Sequence, residues 1–372
     1  MNIFPVILPA WLAVILACAS SCMVTWYTIP LIIRVSLRLN ITDKPRAHKI
    51  HHNNIPTMGG MGIFTGFIFG LLLTVDGSLN ELSAIIAALI LLLFTGIRDD
   101  LLPITPFKKI VIQVTSGLII ATFTDLRFTN LHGFLGCNEI SVFISFLITI
   151  FLVVIIINSF NLIDGIDGLA SSIGIIISST YGVWFYMSGD YGYAIMASAL
   201  IGALLIFFFF NISEGKNKIF MGDTGSMVIG FIIIVMTIRF NEINAAGNSI
   251  YKLVSSPSVS VAILIIPLFD TLRVIVIRLI RRKGLFVADN RHIHHLLLRT
   301  GCSHLQATLL ISVANLFFIA VAFLLDGLGI TKLAFVLLAT GFILTLIVYI
   351  KVAYMEKWNW SAGILKTIMK ND

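Results

Sequence analysis

The chain has 372 residues, 58% of them hydrophobic and 12% charged, with a net charge of +7. A soluble domain of this length carries about twice that share of charge, and a mean hydropathy of +1.01 excludes a water-exposed globular fold. The positive charge does not require nucleic acid, because basic loops orient membrane proteins and meet anionic headgroups.

Apolar runs near the roughly 20 residues that cross bilayer hydrocarbon predict spans at about 6–33, 58–75, 82–97, 110–124, 141–157, 169–187, 191–210, 224–238, 257–280, 305–325 and 332–352. The expectation is an all-α polytopic membrane protein of about 11 transmembrane helices. Met1 to Pro9 has no basic residue and the apolar run continues past Cys22, so the first segment reads as a retained helix rather than a cleaved signal. Neither of the longest polar connections, 34–57 and 281–304, is long enough for a core of its own. Residues 1–372 therefore read as one integral-membrane domain, with 353–372 a short cytoplasmic tail.

Of the 25 Lys and Arg, all but Arg127, Arg239, Lys252 and Lys332 fall at alternate boundaries: Arg34 to Lys49, Arg98 to Lys109, Lys216 to Lys218, Arg273 to Arg299, and the tail. That bias predicts the N-terminus outside and the C-terminus cytoplasmic. The clusters Arg98-Asp99-Asp100, Asn158 to Gly168, Asn211 to Gly225 and Asp289 to His295 then emerge on one face, the cytoplasmic one. Cys18, Cys22, Cys137 and Cys302 show neither metal-binding nor disulfide spacing.

In chain order, a loop group of His48, His51 and His52 with Lys44, Arg46 and Lys49 comes first. Asp99 and Asp100 follow at a helix end, where adjacent carboxylates are either solvated or compensated by a cation. Lys108 and Lys109 lie beyond Pro103 and Pro106, either as flanking charge or to clamp a phosphate. In NSFNLIDGIDGLASS, Asn158, Asn161, Asp164 and Asp167 recur every third residue, so a helical stretch would align them. Gly165 and Gly168 allow backbone close to a ligand, and the segment lacks the alternating ligands of a calcium loop. Asn211 ends one span, and Asp223 between Gly222 and Gly225 begins the next, where it also reads as a helix N-cap. Asp270 and Arg273 suit a pair on one helix face within a span. Finally Arg291, His292, His294 and His295 suit anion binding better than zinc, since neighbouring His294 and His295 diverge on a helix and no cysteine accompanies them.

The runs DKPRAHKIHHNNIPTMGG, DD with Lys109 and Gln113, NxxNLIDGIDGLA, FMGDTGS, and PLFDTLRVIVIRL followed by DxxHIHH span residues 41–295 in that order. Together they resemble the polyprenyl-phosphate N-acetylhexosamine-1-phosphate transferases of glycosyltransferase family 4, in the WecA- and TagO-like branch marked by HIHH. Gly284-Leu285-Phe286 departs from the Ser-Pro usual before that Phe.

The resemblance implies transfer of a sugar-1-phosphate, N-acetylglucosamine-1-phosphate first among candidates, from a UDP-N-acetylhexosamine to undecaprenyl phosphate. UMP would leave, and the lipid-linked pyrophosphate sugar would start a cell-envelope polysaccharide such as O antigen. The phospho-MurNAc-pentapeptide transferase reaction is the neighbouring alternative. The resemblance further implies Mg2+, with Mn2+ as substitute, held by Asp223 with Asp100 or Asp99. It implies that Asp99 orients the lipid phosphate or acts as its base, and that Lys109 binds that phosphate. Asn158, Asn161, Asp164, Asp167 and Asn211 would serve the nucleotide and the metal loop. Arg291, His292, His294 and His295 would hold the diphosphate or sugar. Membrane lipid and a second copy of the chain are the implied partners, and the bacterial inner membrane the location.

A transporter is the reading from another class. It calls for polar groups near the bilayer midplane and for repeated halves, and only Asp270 falls near a midplane.

Overall fold

Inside a bilayer the backbone must satisfy its own N–H and C=O groups, so apolar runs become helices. The computed structural model describes residues 8–43, 55–75, 77, 79–134, 136–247, 250–280, 282 and 292–368. Within them lie α1 (Ala10–Arg38), α2 (Gly59–Thr74), α3 (Leu82–Leu101), α4 (Pro106–Phe123), α5 (Val142–Ile163), α6 (Leu169–Met187), α7 (Tyr191–Ile212), α8 (Gly222–Ala246), α9 (Ser256–Ile263), α10 (Ile265–Ile280), α11 (Ile293–Arg299), α12 (His304–Leu324) and α13 (Ile330–Ile368). Two small antiparallel hairpins complete the set, β1 (Thr42–Asp43) with β2 (Ile55–Pro56) and β3 (Asn130–Phe134) with β4 (Cys137–Glu139). Residues 353–368 of the expected tail continue α13 as helix.

Among the described residues 9 helices are long and apolar enough to cross a membrane, or 10 if the bent pair α9–α10 is one span. The expected eleven departs from this at two places. Segment 58–75 forms a helix of only 16 residues. Segment 257–280 is not one straight span, because α9 and α10 meet at 80°. The bend has a local cause: the carbonyl of Ile263 would bond the N–H four residues on, and position 267 is proline. Asn315 Nδ2 of α12 donates to that freed carbonyl at 3.2 Å.

The helix α8 runs through the middle of the bundle and buries nearly its whole length, from Thr224 to Ile238 without a break. It packs against α2, α3, α5 and α6. On one side α1, α2 and α7 form a tightly packed group. Gly62, Gly66 and Gly70 repeat every fourth residue along α2 and bring it onto α1, where a Cβ at Gly62 would lie 2.7 Å from Ile29 and one at Gly70 2.6 Å from the Ala17 carbonyl. Hydrogen bonds join α1 to α7, from Ser21 Oγ to the Ala199 carbonyl at 2.7 Å and from Ser198 Oγ to the Val14 carbonyl at 2.7 Å.

Local signals set the helix boundaries near the polar loops. Pro103 lies between α3 and α4, and Pro106 opens α4. Gly168 takes a left-handed conformation, φ 78°, between α5 and α6. Ser303 and Gln306 form a reciprocal capping box at the start of α12, worth about 1 kcal/mol. Because the long helices alternate in direction, the C-terminal ends of α3, α5 and α7 gather with the N-terminal ends of α4, α6 and α8.

Candidate active site

At that gathered end, Asp223 in the first turn of α8 is the meeting point. Lys109 Nζ from α4 approaches Asp223 Oδ2 at 2.5 Å and also contacts Asp99 Oδ2 at the end of α3. Asn161 Nδ2 from α5 donates to the other Asp223 oxygen and to Ser226 Oγ at 3.0 Å. Asp99 Oδ1 accepts from the Ile104 N–H at 2.7 Å, which secures the loop between α3 and α4.

Asp223 does not cap its own helix, which corrects that expectation: the position before α8 is Met221, without a side-chain cap. The first free amides of α8 are instead taken by Asp100 from α3. Its Oδ1 accepts from the Asp223 N–H at 2.7 Å, and its Oδ2 from the Thr224 N–H at 3.2 Å and the Thr224 hydroxyl at 2.6 Å. A carboxylate suits the positive end of a helix dipole, and the exchange leaves the Asp223 side chain facing Lys109. Close approach makes it feasible, since Gly96 lets α3 lie against Thr224, and Gly222, at φ 73°, leaves room for the Asp100 carboxylate. Gly59 and Gly60 bond the carbonyls of Phe220 and Met221 at 2.9 and 2.8 Å and clamp the same end from α2.

The four residues at spacing three do not share one face, because α5 ends at Ile163. Asn158 and Asn161 lie on its last turns, and Asn158 Nδ2 donates to Gln113 Oε1 of α4 at 2.7 Å. Asp164 and Asp167 lie in the following turn and have opposite surroundings. Asp167 Oδ2 is bonded by Lys218 Nζ at 2.6 Å and His304 Nδ1 at 3.0 Å. Burial would push its carboxyl up, but the hydrogen bonds and charges of His304 and Lys218 win and hold it below the usual carboxylate range. Asp164 has no hydrogen-bond donor among the described residues. Burial, with the nearby charges of Asp223, Asp100 and Asp167, pushes its carboxyl up to about 7.

Asn211, buried at the end of α7, accepts from the Gly168 N–H at 2.6 Å and donates to the Ile219 carbonyl at 2.9 Å. It thereby ties the Asp164–Asp167 turn to the loop before α8. The histidine segment reaches the same turn. His294 lies so close to Gly165 that a Cβ there would overlap its imidazole Nε2. The rings of His292 and His294 stack at 5.6 Å with 8° between planes, and the His295 ring tilts against His294. Burial, then the charge of His295, depresses the His294 imidazole to about 3.

Asp99, Asp100, Lys109, Asn158, Asn161, Asp164, Asp167, Asn211, Asp223, His292, His294 and His295 thus connect into one end of the bundle. Arg291, Gly284 to Phe286, and the His48, His51, His52 group lie outside the described residues. Among the described residues no three His, Cys, Asp or Glu side chains form a group that could hold a metal ion.

Three contributors escaped sequence reasoning. Lys218, in the loop before α8, and His304, at the start of α12, compensate Asp167 from 51 and 137 residues away, with no local signal. Asp270 pairs with Arg273 as expected, at 2.7 Å, but it also bonds His292 Nδ1 at 2.8 Å and the Ile293 N–H at 3.0 Å. It belongs with the histidine segment rather than the middle of a span. Its place within PLFDTLR, just upstream of HIHH, was the available signal.

Residues 82–241 match the model of the family described as glycosyl transferase family 4. An undecaprenyl-phosphate alpha-N-acetylglucosaminyl 1-phosphate transferase of Yersinia pestis is 31% identical over 76% of this chain and 76% of its own length. The protein of that name from Escherichia coli (strain K12) is 32% identical over 76% of this chain and 75% of its own. A "probable undecaprenyl-phosphate N-acetylglucosaminyl 1-phosphate transferase" of Bacillus subtilis (strain 168) is 28% identical over 92% of this chain and 93% of its own. The match covers α3, α4, α5 and the start of α8, which meet at Asp223, and leaves out α2, and the chain belongs to glycosyl transferase family 4, with the undecaprenyl-phosphate N-acetylglucosaminyl 1-phosphate transferases.

Proposed function

We propose that this chain is a membrane phosphoglycosyltransferase that moves N-acetylglucosamine-1-phosphate from UDP-N-acetylglucosamine to undecaprenyl phosphate, releasing UMP. The observation that carries the reading is the convergence on Asp223 of α3 through Lys109, α4 and α5 within the family's matched residues. Three relatives named for N-acetylglucosaminyl transfer favour this sugar over the phospho-MurNAc-pentapeptide alternative. The transporter reading loses its one support, because Asp270 is engaged with the histidine segment.

A phosphate oxygen of the lipid attacks the sugar-bearing phosphorus of the UDP-sugar. The P–O bond to the inner phosphate breaks, and UMP departs with the electron pair. Such transfers need alignment and charge neutralisation more than covalent participation by the protein. Lys109 supplies fixed positive charge where Asp99 and Asp223 meet, near the lipid phosphate. Asp99 orients that phosphate, which is already ionised near neutrality and needs no strong base. Asn158, Asn161 and the turn at Asp164 and Asp167 face the nucleotide, while His292, His294, His295 and Arg291 hold the diphosphate and sugar.

Mg2+, with Mn2+ as substitute, fits the donor set at one point. Asp164 is a carboxylate without a donor, among the charges of Asp223, Asp100 and Asp167, and hard divalent cations favour such oxygen-rich surroundings. Asp223 and Asp164 would hold the ion with Asp99 nearby. Asp100 would contribute by fixing the α8 end, since its oxygens take the backbone N–H groups of Asp223 and Thr224. The Asp223 carboxylate, in contrast, is bonded by the side chains of Lys109 and Asn161, which an ion would displace. When bound, the ion would neutralise charge developing on the phosphates.

The loop charge bias supports an outside N-terminus, a cytoplasmic C-terminus and a site facing the cytoplasm of a bacterial inner-membrane protein. A cysteine in the segment 292–295 should be shielded from impermeant reagent added outside the cell. For the activity, purified protein with UDP-N-acetylglucosamine, undecaprenyl phosphate and Mg2+ should release UMP. Absence of UMP with every UDP-N-acetylhexosamine would end this reading.

A further inference from the structure

Asp270 is buried, with 3% exposure, yet it accepts three hydrogen bonds, one from its own helix and two from the neighbouring residues His292 and Ile293. Arg273 Nη2 donates to Oδ1 at 2.7 Å from the next turn of α10, and the Ile293 N–H at the start of α11 donates to the same oxygen at 3.0 Å. Oδ2 takes His292 Nδ1 at 2.8 Å. Arg273 in turn donates from Nη1 to the Tyr349 hydroxyl of α13 at 2.9 Å, and Phe269 stacks edge-on against Phe342 of α13 with centroids 5.2 Å apart. The carboxylate is thus fixed from behind by two helices before it meets the imidazole.

A ring nitrogen bonded to a carboxylate carries the proton on that side, and this sets both the tautomer and the ring orientation. His292 Nδ1 is therefore the donor to Asp270, and Nε2, which points away, donates to a phosphate oxygen in the doubly protonated ring, the form that an anion on each side favours. Nε2 has no hydrogen-bond partner among the described residues and, unlike His294 Nε2, is not a fully buried unpartnered atom. His294 differs in kind: its ring is packed between His292 and the backbone of Gly165. Three histidines in one short segment therefore have separable jobs.

We infer that Asp270 is the positioning residue of the histidine segment, holding His292 so that Nε2 alone is presented to a phosphate oxygen of the substrate, while His294 acts as a spacer against the Asp164 turn. This rests on the proposed transferase reading, and it concerns how one substrate contact is aimed rather than whether transfer occurs.

The test uses full-length protein and UMP release from UDP-N-acetylglucosamine, with kcat and KM measured separately. His292→Asn places an amide nitrogen where Nδ1 was, keeping the bond to Asp270 but deleting Nε2. His292→Gln reaches the Nε2 position but loses the Asp270 bond. We expect His292→Asn to stay folded with wild-type thermal stability and to lose about 10²-fold in kcat, the scale of removing one oriented donor at a transferring group. Asp270→Asn should lose a similar factor, and Asp270→Asn with His292→Asn should lose no more than His292→Asn alone, because both act through one nitrogen.

Activity of His292→Asn within threefold of wild type would overturn the inference, as would multiplying losses in the double variant. If Asp270→Asn does not fold, His292→Asn still decides the matter, since it leaves the Asp270 bonds in place. Failure of the wild-type protein to release UMP from any UDP-N-acetylhexosamine would instead remove the transferase reading itself.

Discussion

The two ends of the bundle use polar residues in opposite ways. At the end away from Asp223, Asp190, Glu242 and Asp326 each close a connection. Arg239 pairs with Asp190 at 2.7 Å, Glu242 accepts from the N–H and hydroxyl of Thr129 at 2.9 and 2.6 Å, and Asp326 receives the Val254 and Ser255 N–H groups at 2.8 and 2.7 Å. At the Asp223 end some carboxylates are equally well served, Asp100 and Asp167 among them, but Asp164 stands without a donor beside three like charges. An end built only for stability would not hold that arrangement. Uncompensated charge beside hydrocarbon is the mark of a group awaiting a ligand.

The contrast can be broken most forcefully at Asp223. Asp223→Asn should keep the protein in the membrane while lowering kcat by roughly 10³-fold or more, because it removes the group on which α3, α4 and α5 converge. Gly165→Ala should rank next. Its Cβ would overlap the His294 ring, so the histidine segment must shift, and kcat should fall by about 10- to 100-fold with a stability loss near 1–3 kcal/mol.

His294 sharpens the contrast through pH. Its imidazole is held near 3 in the folded protein against 6.5 in the unfolded chain. Between those values the unfolded chain binds the extra proton, so stability falls as pH drops from about 6.5 toward 3. The expected loss from this group is about 2 kcal/mol at pH 5. Thermal unfolding of His294→Gln should be correspondingly less sensitive over that window. The smallest effect should come from the opposite end: Asp190→Asn breaks a partly exposed ion pair, costing under about 1 kcal/mol, and should leave UMP release unchanged.

Much of this was legible in the sequence where the physics is local. Apolar runs marked the helices, and the loop clusters at Asp99, Asp164, Asp223 and His292 do meet. What escaped depends on partners far away in the chain. Asp223 has every local feature of an N-cap, yet the α8 amides go to Asp100, 123 residues earlier. Spacing of three placed Asp164 and Asp167 together, but the helix ends at Ile163 and only Asp167 meets Lys218 and His304. The bend at Leu264 was signalled by Pro267, and the weight of apolar residues on both sides concealed it. Asp270 followed from that bend, since a straight span would leave it amid hydrocarbon with Arg273 alone.

The most direct measurement compares the two ends in one assay: UMP released from UDP-N-acetylglucosamine and undecaprenyl phosphate by wild type, Asp223→Asn and Asp190→Asn, each purified and equally folded. Turnover should vanish in Asp223→Asn and persist unchanged in Asp190→Asn. Wild-type turnover in Asp223→Asn, or an equal loss in both variants, would contradict a single reaction site at the Asp223 end.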